Sequence, residues 1–175
     1  MKQSTSRQIL FLLSAAVVLG LLRNAVAPGS IPWRGQWGPP QVAPGDSTGV
    51  PQSAQPDDPP FITLQKAAEM HADPNVVFID ARDPEDFEMG CIPGSILLPF
   101  EMFDDYWPAV SERLSQDRPI VAYCSGSECE ASLMLARLLV QEHGYEHVYV
   151  FFGGATMWED AGMPMDTIPA PPPGV

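Results

Sequence analysis

Cys124 ends the apolar run 119–123 and is followed by a short loop that contains Gly126. The pattern next predicts a helix over 128–142. A cysteine between a strand and a helix is placed to react as a thiolate, because loop amides and the positive end of the helix stabilise negative sulfur. Both effects lower the pKa of a thiol from its usual ~8.5 and make it nucleophilic. A buried, inert cysteine is the alternative, and the strand–loop–helix position favours function.

A second cysteine, Cys129, follows in a Cys-x4-Cys spacing. An attacking thiol with a resolving thiol nearby is the layout of a redox pair. A disulfide needs Cα atoms about 4.4–6.8 Å apart, a span that a curled loop can meet. The alternative is that Cys129 is a small residue at the start of the helix. Both interpretations stay open at this point.

Two carboxylates, Glu128 and Glu130, flank Cys129. Negative charge disfavours a nearby thiolate and repels anionic donors, by about 1 kcal/mol for two unit charges 4 Å apart in water. We therefore expect a neutral or protein-bound sulfur donor rather than free thiosulfate. Arg137 lies too far along the helix to offset this charge. Alternatively, both carboxylates face solvent, where acidic residues at a helix start interact favourably with its dipole.

Strands and helices alternate around this loop. The apolar runs typical of buried strands are 76–79, 96–98, 119–123 and 148–152, and a short strand is predicted at 61–64. Helices are predicted at 64–71, after the capping residue Asp83, over 100–114 with a break near Pro108, over 128–142, and around Trp158. Such alternation predicts an α/β domain with a mostly parallel central sheet and helices on both faces. Ligands in such sheets bind at the carboxyl ends of strands.

Four motifs in this order resemble those of the rhodanese family of single-domain sulfurtransferases. The resemblance covers about 61–166. The motifs are Ile79-Asp80-Ala81-Arg82, Gly90-Cys91-Ile92-Pro93-Gly94-Ser95, Tyr123-Cys124, and Gly153-Gly154 with Trp158 and Gly162-Met163-Pro164.

The resemblance implies a three-layer rhodanese-like fold and a mechanism in which Cys124 becomes a persulfide and passes its outer sulfur to a thiol or another nucleophile. It implies that backbone amides of the loop cradle that sulfur, and that no metal or organic cofactor is needed. The loop residues concerned are Ser125, Gly126, Ser127, Glu128, Cys129 and Glu130. Phosphatases of this fold need a loop arginine, which is absent between Cys124 and Ser132.

Other motif residues are expected to support the site. Arg82 is predicted to pair with Glu85 or Glu88, and Asp80 follows the same strand end. Cys91 stands where the family motif has histidine and is expected to be packed in the core. The histidines show no ligand spacing, so no metal site is predicted.

Charge excludes several other functions. Nine basic and 22 acidic residues give a net charge of −13, which argues against nucleic-acid binding and against docking on an anionic membrane surface. Three cysteines are too few for a disulfide scaffold.

The chain is predicted to have four segments. Residues 1–27 form a signal or membrane anchor: the apolar run 9–22 has the length of a signal-peptide core, but Pro28 disfavours cleavage after Ala27. Residues 28–60 form a Pro/Gly-rich disordered linker, 61–166 the rhodanese-like domain, and 167–175 a Pro-rich tail. The charge bias predicts a membrane-anchored domain outside the cytoplasm, on the periplasmic side. Export as a soluble protein after cleavage is the alternative.

Three functions remain. The first is a sulfurtransferase or persulfide carrier, with a small sulfur donor or a protein persulfide and a thiol acceptor as partners. The second is a thiol-disulfide relay through Cys124 and Cys129. The third is a catalytically silent binding module that keeps the fold, which the acidic loop favours and the intact Cys124 opposes.

Overall fold

The computed structural model describes residues 8–9, 12–14, 50–51, 53–126 and 129–174. The chain divides into two units, Met1–Gln41 and Val42–Val175, and the folded domain lies in the second. Most of the predicted anchor at 1–27 and most of the predicted linker lie outside the described residues. No helix in the described part of the chain combines the length and the apolar character that crossing a membrane requires.

A parallel sheet of four strands forms the centre of the domain. The strands are β1 (Val77–Asp80), β2 (Ile96–Leu97), β3 (Ile120–Tyr123) and β4 (Val148–Phe151), in the order β2-β1-β3-β4. Each is an apolar run buried almost throughout, as strands covered on both faces must be. The register pairs Asp80 with Tyr123, so β1 and β3 end at the same level.

Five α-helices connect and cover the strands: α1 (Leu64–His71), α2 (Pro84–Met89), α3 (Phe103–Ser111, after a 3-10 turn at Phe100–Met102), α4 (Ala131–Gln141) and α5 (Gly154–Asp160). The core divides into two clusters. In one, Phe87, Tyr106 and Leu135 of α2, α3 and α4 pack on one face of the sheet. In the other, Met70 and Trp158 of α1 and α5 pack on the opposite face. The predicted α/β architecture with helices on both faces is therefore confirmed.

Several predicted element boundaries differ from the structure. Phe61 forms an isolated parallel bridge with Val150 rather than a strand. Pro108 lies inside α3 without breaking it. Asp83 precedes α2, but its side chain makes no capping hydrogen bond. Helix α4 begins at Ala131, three residues later than predicted, because the Cys129 N–H is bound by the Gly126 carbonyl in a turn.

Residues 53–60, assigned to the linker from composition, contact the domain. The Asp58 carboxylate accepts two hydrogen bonds from Arg137, at 2.6 and 2.8 Å. The Pro60 carbonyl accepts from the Val150 N–H at 2.9 Å. At the other end of the domain, the Ala170 N–H donates to Glu88 Oε1 at 3.0 Å. Contacts to the sheet and helices thus extend on both sides of 61–166.

Candidate active site

The chemistry-bearing residues lie where β1 and β3 end. The Ala81 N–H donates to the Tyr123 carbonyl at 2.9 Å, so the ladder between the two strands continues to their last residues. Asp80 is the final residue of β1, and Cys124 directly follows β3. The parallel sheet therefore brings the Asp80–Arg82 segment and the Cys124 loop to one edge, as expected for a site at the carboxyl ends of strands.

Cys124 is completely buried. Its S–H donates to the Cys129 carbonyl oxygen at 2.8 Å. On its other side, the Ser132 hydroxyl donates to the Cys124 sulfur at 3.4 Å. The Cys129 carbonyl and the Ser132 hydroxyl thus hold the thiol between the turn and the first residues of α4.

Ser132 is a site residue that sequence reasoning missed. It lies on α4, and its side chain is fully buried although it is polar. The available signal was a serine on the apolar face of a helix, eight residues after the cysteine. A buried hydroxyl needs a hydrogen-bond partner, and here that partner is the Cys124 sulfur.

Cys129 lies at the half-buried end of the same loop. The hydrogen bond between its N–H and the Gly126 carbonyl, 2.8 Å long, folds the loop back toward β3. All three cysteines of the chain, Cys91, Cys124 and Cys129, are free thiols.

The two loop thiols have opposite pKa shifts. The hydrogen bond with Cys129 and burial raise the pKa of Cys124 well above the ordinary value. The hydrogen bond from Cys124 lowers the pKa of Cys129 to about 6, and although burial opposes this, the backbone amides of Ser125 and Ala131 lower it further. The expectation that the loop lowers the pKa of Cys124 is therefore wrong for this arrangement. The amides act on Cys129 instead, and the two shifts favour negative charge on that thiol over Cys124.

Helix α5 fixes the start of the loop. Its Ala155 and Thr156 N–H groups donate to the carbonyls of Cys124 and Ser125, at 2.8 and 2.9 Å. Gly154 permits this approach: its φ is +62°, and a Cβ there would lie 2.2 Å from the Cys124 carbonyl oxygen. The Gly153-Gly154 motif thus serves as a close-packing turn at the site.

Asp80 and Arg82 form a buried ion pair beside the loop. Arg82 Nε and Nη2 donate to the two Asp80 carboxylate oxygens at 2.9 and 2.6 Å, and Nη2 also donates to the Gly90 carbonyl at 2.6 Å. Burial lowers the pKa of Arg82, but the hydrogen bonds and charge of Asp80 outweigh it and hold that pKa above the ordinary value. The predicted pairing of Arg82 with Glu85 or Glu88 is wrong, because Asp80 lies on the same turn.

Tyr123 connects the strand end to the motif at 90–95. Its hydroxyl accepts from the Ile92 N–H at 3.0 Å and hydrogen-bonds the Ser95 hydroxyl at 2.9 Å. Burial and the charge of Asp80 raise the pKa of Tyr123, so it stays a neutral phenol. Cys91 is packed in the core, as expected, and its backbone pairs with Asp166 in an antiparallel bridge.

The other predicted loop residues lie in different environments. Ser125 and Gly126 are half-buried beside Cys124, and Glu130 is exposed. The Glu130 carboxylate accepts a hydrogen bond from the Ser53 hydroxyl, so it faces the outer surface. Ser127 and Glu128 lie outside the described residues. The Glu130 carboxylate therefore points toward the surface rather than toward the Cys124 sulfur.

The described residues of the site form no metal centre. No group of three or more His, Cys, Asp or Glu side chains is arranged to hold a metal ion among residues 53–126 and 129–174 and the few other described positions. What the arrangement offers chemically is two adjacent thiols, a hydroxyl donor and a fixed backbone turn.

Comparison with known proteins agrees with the geometry. The family model described as "Rhodanese-like domain" matches residues 63–161. The chain is 37% identical over 95 residues to the tRNA uridine(34) hydroxylase of Erwinia tasmaniensis, which covers 51% of this chain and 26% of that protein. It is 28% identical over 106 residues to the thiosulfate sulfurtransferase GlpE of Actinobacillus succinogenes, covering 61% of this chain and 89% of that one. The chain thus spans about a quarter of the hydroxylase.

The fold is also found in a solved structure. The thiosulfate sulfurtransferase from Pseudomonas aeruginosa aligns with a TM-score of 0.51 at 17% identity, covering 67% of this chain and 22% of that one.

Proposed function

We propose that this chain, which belongs to the rhodanese-like domain family, is a sulfurtransferase in which Cys124 carries sulfane sulfur as a persulfide. The observation that carries the proposal is the position of Cys124 directly after β3, with its sulfur in a turn fixed by α5 and Ser132. The similarity to GlpE, which is named a thiosulfate sulfurtransferase, supports the same chemistry.

Loading begins with removal of the proton from Cys124. In the resting site this proton is on the Cys124 sulfur and is hydrogen-bonded to the Cys129 carbonyl oxygen, and solvent or the leaving donor anion accepts it. The Cys124 thiolate then attacks the sulfane sulfur of a donor, forming a sulfur–sulfur bond and expelling the rest of the donor as an anion. The Ser132 hydroxyl is placed to stabilise the negative sulfur. A thiol acceptor later removes the outer sulfur.

The donor is proposed to be a small neutral sulfur compound or a protein persulfide. The net charge of −13 repels anions at low ionic strength. Among the described residues, the guanidinium of Arg82 is already paired with Asp80 and that of Arg137 with Asp58. Free thiosulfate, a dianion, would approach without an unpaired cation to receive it, so the proposal places this and other anionic donors below a neutral sulfur compound or a protein persulfide.

The test is intact mass spectrometry of the full-length chain after incubation with polysulfide or thiosulfate. We expect a reducible gain of one sulfur atom and its absence in Cys124→Ser. Cys91→Ser is the matched control, because it removes a buried thiol away from the loop and should still gain sulfur. If Cys124→Ser gains sulfur as the unmodified chain does, Cys124 is not the carrier.

The same samples distinguish the alternative functions. A thiol-disulfide relay would lose two hydrogens on mild oxidation and gain no sulfur from any donor. The contact between Cys124 and Cys129 favours this candidate. A silent binding module would show neither change while remaining folded.

Localisation is proposed from residues 1–27. We place the domain on the periplasmic side of a membrane, held by that segment. Fractionation of cells expressing the full chain tests this: recovery in the membrane fraction is expected, and recovery as a shortened soluble protein would instead favour signal cleavage.

A further inference from the structure

The two loop thiols differ in access. Cys124 is completely buried, whereas Cys129 is half-buried at the outer end of the loop. Any sulfur atom added to Cys124 must extend from a sulfur that already touches the Cys129 backbone, 2.8 Å from its carbonyl oxygen. An external acceptor thiol must reach the persulfide past this turn. The nearest potential nucleophile is therefore part of the chain.

The environment of Cys129 suits a nucleophile. Its thiol interacts directly with Cys124 and is stabilised as a thiolate by the amides of Ser125 and Ala131. The turn that ends at its N–H holds it against β3. Glu130, which would repel a thiolate, is directed to Ser53 at the surface. Both the position of Cys129 beside Cys124 and its stabilised thiolate therefore suit attack on a sulfur carried by Cys124.

We propose that Cys129 is the resolving thiol of the site: it attacks the inner sulfur of the Cys124 persulfide, closes a Cys124–Cys129 disulfide and releases hydrosulfide. This inference rests on the proposed sulfurtransferase function and assigns the step that unloads the carrier. It makes sulfide, rather than a transferred sulfane sulfur, the product in the absence of an outside acceptor.

The step balances in atoms and electrons. The Cys129 thiolate supplies the electron pair for the new bond to the Cys124 sulfur. The bond between that sulfur and the outer sulfur breaks, and its electron pair leaves with the outer sulfur as HS⁻. The outer sulfur is reduced to sulfide, and the two cysteines are oxidised to a disulfide. Two equivalents of a small thiol then reduce the disulfide through a mixed disulfide and restore both cysteines.

A single-turnover experiment on the full-length chain tests this step. The reduced protein is loaded with polysulfide and freed of excess donor without any added thiol. Hydrosulfide release and intact mass are then followed with time. We expect one hydrosulfide released for each sulfur loaded, with a protein product that lacks two hydrogens. Cys129→Ser should load, keep its added sulfur and release it after addition of a thiol. Cys91→Ser should behave as the unmodified chain.

The outcomes separate this inference from the proposed function. If the unmodified chain keeps its persulfide as long as Cys129→Ser does, Cys129 is not the resolving thiol, and the carrier role of Cys124 stands. If the disulfide forms between Cys124 and Cys91 instead, the assignment is equally overturned. If no variant gains sulfur while mild oxidation removes two hydrogens, the sulfurtransferase proposal fails and this inference with it. A Cys129→Ser protein that fails to fold would be replaced by Cys129→Ala in the same assay.

Discussion

The ends of β1 and β3 lie side by side at one edge of the sheet, yet one holds a fixed ion pair and the other holds reactive thiols. After β1, Asp80 and Arg82 form a buried ion pair whose donors and acceptors are matched by fixed partners. After β3, Cys124 and Cys129 interact through a thiol proton in a turn. The first arrangement keeps one charge state, whereas the second loses a proton as the pH rises through about 6.

This difference shows how one sheet edge combines rigidity with reactivity. The ion pair secures the strand end and the motif at Gly90, because breaking a buried pair leaves an uncompensated charge. The thiol pair is weakly hydrogen-bonded and its chemistry depends on pH and oxidation. Changes after β1 should therefore alter stability, and changes after β3 should alter reactivity.

The largest effect on stability is expected for Asp80→Asn. Removing one partner of a buried ion pair costs about 3–5 kcal/mol, here because Arg82 would keep its charge with the Gly90 carbonyl as its remaining partner. Denaturant unfolding measures the loss. Cys124→Ser, next to it in space, should cost far less, because it exchanges one small hydrogen-bonding group for another.

A double variant sharpens this prediction. Asp80→Asn combined with Arg82→Met removes both charges and should recover part of the stability lost in the single variant. Equal stability of Asp80→Asn and the unmodified chain would show that the ion pair does not secure the strand end.

A smaller loss of stability, about 2–4 kcal/mol, is expected for Gly154→Ala, from strain at positive φ and from overpacking. The new Cβ would lie 2.2 Å from the Cys124 carbonyl oxygen, so the loop must shift and sulfur loading should fall as well. Gly162→Ala is the matched control: its φ is +72° but nothing lies within 4 Å of the added Cβ. Equal stability and equal loading of the two variants would contradict the role of the close contact.

The smallest change is expected in the pH dependence of alkylation. With the pKa of Cys129 lowered to about 6, its thiolate forms as the pH rises through 6. The rate of its reaction with iodoacetamide should therefore level off above about pH 7, where an ordinary thiol, with a pKa of ~8.5, still gains reactivity. Peptide mapping after alkylation isolates Cys129 from the other cysteines.

In Cys124→Ala the same profile should move to higher pH, because the hydrogen bond from Cys124, which is the largest cause of the lowered pKa of Cys129, is then absent. The remaining charged neighbour, Asp80, opposes the thiolate. A midpoint near 8.5 in the unmodified chain would show that Cys129 is not the charged member of the pair.

Most of the fold could be predicted from the sequence because its signals are local. Buried parallel strands are short runs of apolar residues, and the helix at Leu64–His71 begins with a Thr63 side chain that accepts from the Lys66 N–H. The predicted helix break at Pro108 was wrong. A proline normally ends a helix, but α3 continues through Pro108 to Ser111.

The site was less predictable, because its partners are distant in the sequence. Cys124 was identified by its place after a strand, but its hydrogen bond to the Cys129 carbonyl depends on how the loop turns. Arg82 had several acidic residues nearby, and the sequence could not show which of them is buried beside it. Asp58 pairs with Arg137 across 79 positions, and no local pattern contains such information.

The bridge between Phe61 and Val150 has a practical consequence for choosing where to cut this chain. Pro60 and Ile62 hydrogen-bond both backbone groups of Val150, at 2.9 Å each, so this short segment shields β4, which lies at the border of the sheet. The family match begins at residue 63, after the segment. A protein trimmed to that match would expose unpaired N–H and C=O groups on β4, and exposed strand edges pair with other copies and aggregate. Expression fragments should therefore start before Ser53, where the shielding segment and the Asp58 ion pair are both retained.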